Sequence, residues 1–182
     1  PQSNNTYGLG IFKNINSKLE LSAEGYYRST KNNLTYKPGA DFFLEQYPEN
    51  DLIQIDGRAY GVEFSLRKPS GRINGWMNYT WAKSLLKSNG TIKSEIINGN
   101  KWYNSEFDRP HTFNGTINFE TEKYNTWSFN FTAQSGRPYT VANGVFDLNN
   151  KAVPIFLERN NSRLPVYCLL YTSPSPRDTT AS

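Results

Sequence analysis

The chain has almost none of the residues that metal and thiol chemistry need. It holds one cysteine, Cys168, and one histidine, His111, in 182 residues. A single cysteine excludes a disulfide framework within the chain and a multi-cysteine metal site. A single histidine excludes His-based metal clusters and most catalytic triads. No run approaches the roughly 18 apolar residues of a transmembrane helix. The opening "PQSNNTYGLG" has neither the basic nor the apolar region of a signal peptide. The chain is therefore expected either to be cytosolic or to begin inside a longer protein. Charge of one sign is also scarce. The net charge is +4, and the Lys and Arg residues form no stripe, so nucleic acid is not an expected partner. Apolar residues make up 36% of the chain, low for a compact core, whereas aromatics reach 15%. Rings with one apolar and one wet side suit a membrane interface.

What is present is a recurring period of 2. Leu19, Leu21, Ala23, Gly25 and Tyr27 alternate with Ser22 and Glu24. Tyr60, Val62, Phe64 and Leu66 alternate with Glu63 and Ser65. Phe113, Gly115, Ile117 and Phe119 alternate with Asn114, Thr116 and Asn118. Trp127, Phe129, Phe131 and Ala133 alternate with Asn130 and Thr132. A shorter stretch carries Tyr7, Leu9 and Ile11. A noisier one carries Ile73, Met77, Tyr79 and Trp81, with Trp76 on the other side. These are strands with one apolar and one polar face. Each runs about ten residues, longer than the usual 5–6 and close to the 9–11 of a strand tilted across a bilayer.

The connections alternate strictly between short and long. Residues 14–17, 69–72 and 120–125 make the short ones. Roughly 31–56, 85–107 and 137–165 make the long ones. An antiparallel meander places every other connection at the same end, so one end has tight turns and the other has long loops. Outer-membrane barrels show this asymmetry. A soluble antiparallel sandwich also alternates, but its strands are shorter and its long loops occur at both ends. The expected fold class is all-β and antiparallel; strand length and loop asymmetry favour an up-and-down transmembrane barrel segment, and the sandwich stays open at this point.

No catalytic set is expected, and no enzyme. His111, in "DRPH", has no patterned nucleophile beside it and reads as a structural or loop-anchoring residue. Glu20, Glu24 and Glu63 could resemble the paired carboxylates of a glycosidase, but their period-2 placement points to a solvated polar face. "GLG" (8–10) lacks the Lys-Ser/Thr and the helix of a phosphate loop. "FDLNN" (146–150) lacks the acidic spacing of a calcium loop. The sequons at Asn78, Asn114 and Asn130 fall inside strands. No metal and no cofactor is expected.

Five blocks go further than the pattern. They are "AYGVEFSLRK" (59–68), "GRINGWMNYTWAKS" (71–84), "FDRPHTFNGTINF" (107–119), "QSGRPYTV" (134–141) and "ERNNSRLPVY" (158–167). In this order and spacing they resemble the C-terminal half of the barrel of TonB-dependent outer-membrane receptors, particularly those common in Bacteroidetes. They match in turn that family's "GxEx", "YT-x-S", "DRPH", "SG-x-P-x-T" and "RN-x-x-R-x-P-x-Y" patterns, and cover most of residues 20–167. The family's "RLPVY" normally runs into "HRLD". Here it runs into "CLLYTSPSPRD". Back-translated, that segment resembles a transposase-type sequencing adapter read through in one frame. Two parts are therefore expected: a partial receptor barrel at 1–167 and a non-native tail at 168–182 that leaves the sheet as coil. A genuine Ser/Pro-rich linker is the other reading.

The resemblance implies an antiparallel, up-and-down transmembrane β-barrel of about 22 strands, of which this chain would supply about six to eight, in a protein of the Gram-negative outer membrane that imports a scarce nutrient. Outer-membrane lipid surrounds such a barrel. A small ligand or metal chelate (siderophore, cobalamin, glycan or peptide) is its cargo. The TonB energy-coupling complex drives it through an N-terminal segment that this chain does not contain, as it contains no plug domain. The other classes left open are a non-transport outer-membrane barrel, such as an adhesin or protease, and a soluble secreted sandwich. The loops 38–56, 86–106 and 138–157 are the expected outer binding surface, at the end the long connections share. Within them Phe42, Phe43, Tyr47, Trp102 and Tyr103 are the candidate ligand contacts, because rigid aromatics give much area at little entropic cost. The same rings could instead pack loop against loop. Tyr27, Tyr60, Tyr79 and Trp81 near the long-loop ends, and Phe119 and Trp127 near the turns, fit two interfacial bands.

Overall fold

The computed structural model describes residues 1–15, 18–37, 47–121 and 125–176. Seven strands make one antiparallel, up-and-down sheet: β1 (Ser3–Asn14), β2 (Glu20–Tyr36), β3 (Leu52–Lys68), β4 (Ile73–Ser88), β6 (His111–Glu120), β7 (Asn125–Gln134) and β12 (Tyr167–Pro176). Each pairs with the next in this order. The remaining strands are short and belong to the long connections. β5 (Tyr103–Asn104) extends the ladder of β4. β8 (Pro138–Tyr139) pairs with β11 (Ser162–Arg163), and β9 (Gly144–Leu148) with β10 (Lys151–Ile155). Among the described residues there is no α-helix.

The registers place the alternating residues in common rows. One row reads Ala23, Phe64, Tyr79, Phe113 and Ala133. The next reads Leu21, Leu66, Met77, Gly115 and Phe131. The opposite face carries Ser22, Ser65, Asn78, Asn114 and Thr132, then Glu20, Arg67, Trp76, Thr116 and Asn130. A slip of one residue in any strand would move its apolar set to the polar side, so the rows specify the register. Leu19 lies just before β2. No described residue forms a layer over the apolar face: Leu9 is 81% exposed and Phe64 49%.

Two backbone features shape the sheet. β2 carries a bulge between Thr30 and Asn33, with Asn32 at φ 56°, a left-handed conformation that asparagine tolerates. Gly75 holds φ 147°, and a Cβ there would sit 2.1 Å from the carbonyl oxygen of Thr116. Only glycine lets β4 and β6 approach so closely.

The buried core is small and lies at the long-loop end. Ile53, Ile55, Ile97 and Tyr103 form it, with Leu86 packed against them. Ile55 and Leu86 have the parity of the polar face, so the connection after β4 folds back over that face. The strands accordingly reach further than the sequence pattern: β3 begins at Leu52, and β4 continues to Ser88.

The sheet does not stop at Tyr167, contrary to the expectation that residues 168–182 leave it as coil. β12 pairs with β7 from Tyr167↔Gln134 to Pro176↔Asn125. The free edge of β7 offers a row of backbone donors and acceptors to any extended segment beside it. Pro174 and Pro176 are tolerated because β12 is itself an edge strand. Residues 177–182 lie outside the described residues.

Candidate functional site

The polar chemistry concentrates where the three long connections meet. Asp108 follows β5, and its side chain is fully buried. Its carboxylate accepts from the backbone N–H of Ser84 at 2.7 Å, from Lys83 Nζ at 3.2 Å and from Arg163 Nη2 at 2.6 Å. Arg163 also donates through Nη1 to the carbonyls of Asp108 (2.6 Å) and Gly136 (2.7 Å). Each oxygen of a buried carboxylate thus has a charged or backbone donor, which burial requires. Three of the sequence blocks meet here: Asp108 from "FDRPH", Gly136 from "QSGRP" and Arg163 from "RNNSR". A Cβ on Gly136 would fall 1.7 Å from the carbonyl oxygen of Leu164, so the two segments pack against bare backbone.

A second knot joins the same connections further out. Asn98 and Arg159 exchange hydrogen bonds: Asn98 Nδ2 donates to the Arg159 carbonyl (2.9 Å), and the Arg159 N–H donates to Asn98 Oδ1 (2.7 Å). Arg159 Nη1 reaches the Tyr36 carbonyl at 3.3 Å, and Asn160 Nδ2 donates to the Asn104 carbonyl at 2.7 Å. Ser88 anchors the connection after β4: its buried hydroxyl accepts from Ile97 N–H at 2.8 Å and bonds Asn100 Oδ1 at 2.7 Å. The outer loops are thereby fastened to one another and to the sheet.

Between them lies a cleft of about 720 Å³, within the roughly 300–1,000 Å³ of small-molecule sites. Tyr36 and Lys37 line it from the first long connection, Lys93 and Asn98 from the second, and Phe156 and Arg159 from the third. Lys37 is tied to Asp51 at 3.5 Å. Phe156 is 59% exposed, an apolar wall open to a ligand. The arrangement offers cations and an aromatic surface on a fastened frame, which suits binding rather than bond-breaking.

The aromatic candidates lie elsewhere and apart. Tyr103 is 7% exposed, inside the loop core. Burial raises its hydroxyl pKa above the ordinary 10.0, and the neighbouring Arg159 guanidinium opposes the rise. Trp102 is 38% exposed and lies on the other side of the sheet, under Arg58. Tyr47 is exposed beside the turn Pro48–Asp51. Phe42 and Phe43 lie outside the described residues. None of Trp102, Tyr103 and Tyr47 lines the cleft. Asp108, Arg163 and Arg159 were not singled out by the sequence pattern. The signal for them was the recurrence of charged residues inside the family-like blocks.

The remaining titratable residues form no reaction centre. His111 Nδ1 is 2.8 Å from the Tyr79 hydroxyl, and the two rings stack at 6.2 Å. Both belong to the apolar side of the sheet. Glu24 and Glu63 stand directly opposite each other on the polar face. Among the described residues no three metal-ligating side chains gather, and no helix is long and apolar enough to cross a membrane. No family model, no curated protein and no solved structure matches the chain.

Proposed function

We propose that the chain is part of the wall and outer loops of a transmembrane β-barrel of the TonB-dependent receptor kind. One observation carries this: an apolar face in register across six long strands, β1 to β4, β6 and β7, with no layer of described residues over it. A soluble sandwich would need a second sheet there. Lipid supplies the missing layer. On β4 the charge-free part of the face runs from Ile73 to Trp81. Eight residue steps of about 3.3 Å, inclined by about 40°, span roughly 20 Å, close to the ≈25 Å apolar band of membrane barrels. Tyr27 and Tyr60 pair at its upper limit, and Phe119 and Trp127 at its lower one, as two interfacial girdles would. The polar face then lines the lumen.

In this reading the protein is a transporter, not an enzyme. It takes up a scarce nutrient across the Gram-negative outer membrane. The cleft among the fastened loops captures the solute, and energy arrives through a TonB-coupled segment elsewhere in the complete protein. Expression of the intact gene tests the reading. Its product should fractionate with outer membranes, dissolve only in detergent and carry a plug domain ahead of Pro1. A product recovered in the soluble fraction without detergent would contradict it.

A further inference from the structure

Arg58 belongs neither to the cleft nor to the Asp108 knot. It lies two residues before Tyr60 on β3, so alternation puts it on the apolar side, one row beyond the Tyr27–Tyr60 pair. Its guanidinium carbon sits 4.1 Å from the centroid of the Trp102 ring. Its Nε is buried without a hydrogen-bond partner. Among the described residues no carboxylate pairs with it. Lys83 and Lys87 are its diagonal neighbours across the β3–β4 ladder, about 7–8 Å away by strand geometry. Asp56 stands opposite Lys87. The Asp56 carboxylate accepts from the backbone N–H of Asn32 at 3.3 Å, and that of Asp108 is held by Lys83 and Arg163. A guanidinium held over an indole can still present its outer N–H groups as a fork, the geometry that a phosphate accepts in two bonds.

We propose that Arg58, stacked on Trp102 and flanked by Lys83 and Lys87, binds the phosphate of an anionic lipid headgroup. The proposal rests on the barrel reading. A lipid rather than a soluble phosphate ester fits because the site shares its face with Val62 and Phe64. A lipid whose headgroup meets Arg58 lays its chains over those side chains. Trp102 then faces lipid headgroups, whereas the solute meets the loops on the other side.

The full-length gene product in neutral detergent should be offered equal amounts of lipid A and its dephosphorylated form, with bound lipid counted by native mass spectrometry. The wild type should retain the phosphorylated lipid preferentially. Arg58→Gln should cut that preference about fivefold, the contribution of one cation near a charged lipid surface. Arg58→Lys should recover part of it. If Arg58→Gln does not fold, Trp102→Ala should lower the preference in its place. No preference in the wild type, or an undiminished one in a folded Arg58→Gln or Trp102→Ala protein, would overturn the site while leaving the barrel reading intact. A wild type that is soluble without detergent would overturn both.

Discussion

Phe129 and Asn130 are neighbours in β7, yet they belong to rows of opposite chemistry. Phe129 stands beside Ile117, and Asn130 beside Thr116, whose hydroxyl bonds its side-chain oxygen at 2.8 Å. If the first faces lipid and the second faces water, Phe129→Arg should cost about 2–4 kcal/mol of barrel stability and Asn130→Arg about 0–1 kcal/mol. Denaturant titration in lipid vesicles reads the difference, and equal penalties would reverse the assignment. Asp108 makes a different kind of prediction. Its removal strands Lys83 and Arg163, which are 28% and 30% exposed and can turn partly to water. Asp108→Ala should therefore cost nearer about 2–3 kcal/mol than the 3–5 of a fully buried pair. It should release the outer loops to faster hydrogen exchange while the amides of β6 and β7 stay protected. Tyr103 adds a pH dependence. Its folded pKa is raised, so its contribution to loop stability holds below about pH 10 and falls as pH rises towards the folded value. Tyr103→Phe should abolish that alkaline loosening, measured as loop hydrogen exchange. The alternation of Phe129 and Asn130 was legible from pattern; Tyr103 was expected as a ligand contact but lies in the loop core, and Asp108 and Arg163 were not singled out at all. Asp108 and Arg163 are 55 residues apart in the chain, and nothing local in either segment says which charge the other meets.

At the scale of elements, the strands were legible where a single face is apolar and blurred where the apolar face changes sides. On β3 the apolar residues are Tyr60, Val62, Phe64 and Leu66 at even positions, but Ile53 and Ile55 at odd ones. The change falls at the edge of the apolar band, where the returning connection buries the opposite face. A strict period-2 reading therefore ends β3 near Arg58 and assigns residues 52–56 to a loop. β12 shows the reverse problem. Its backbone completes a ladder, but its side chains do not follow the rows. Leu169 falls in the polar row of Ser65, Asn78, Asn114 and Thr132, and Tyr171 in that of Asn130. Strand pairing needs only an edge and an extended segment. Facing needs the right sequence. An adapter origin for residues 168–182 would account for the mismatch. Re-amplification of the gene from source DNA should replace them with a strand that restores apolar residues opposite Ala133, Phe131 and Phe129. Recovery of the same fifteen residues would show them to be native.

The two ends of the long strands differ in construction. The lower part is a uniform sheet, apolar on one side and polar on the other. The upper part adds an irregular cap, whose buried carboxylate, reciprocal Asn–Arg bonds and small core fasten three long connections around one cleft. Loops fixed in this way can present a binding surface without collapsing onto the polar face of the sheet. The antiparallel meander and its long–short asymmetry followed from the sequence because a period of 2 and turn lengths are local properties. The cleft did not, because it is made by segments distant in the chain. The proposed function depends on the apolar side of the sheet meeting lipid. Residues 1–167 contain no cysteine, so in the complete protein, with any cysteine outside this region replaced by serine, one thiol at a time can carry a fluorophore. The deciding measurement is quenching by lipids brominated on their chains, with the label placed in turn at positions 62 to 66 of β3. Strong quenching is expected for Val62→Cys, Phe64→Cys and Leu66→Cys, and weak quenching for Glu63→Cys and Ser65→Cys, if the apolar side faces lipid. The opposite alternation, or none, would contradict it.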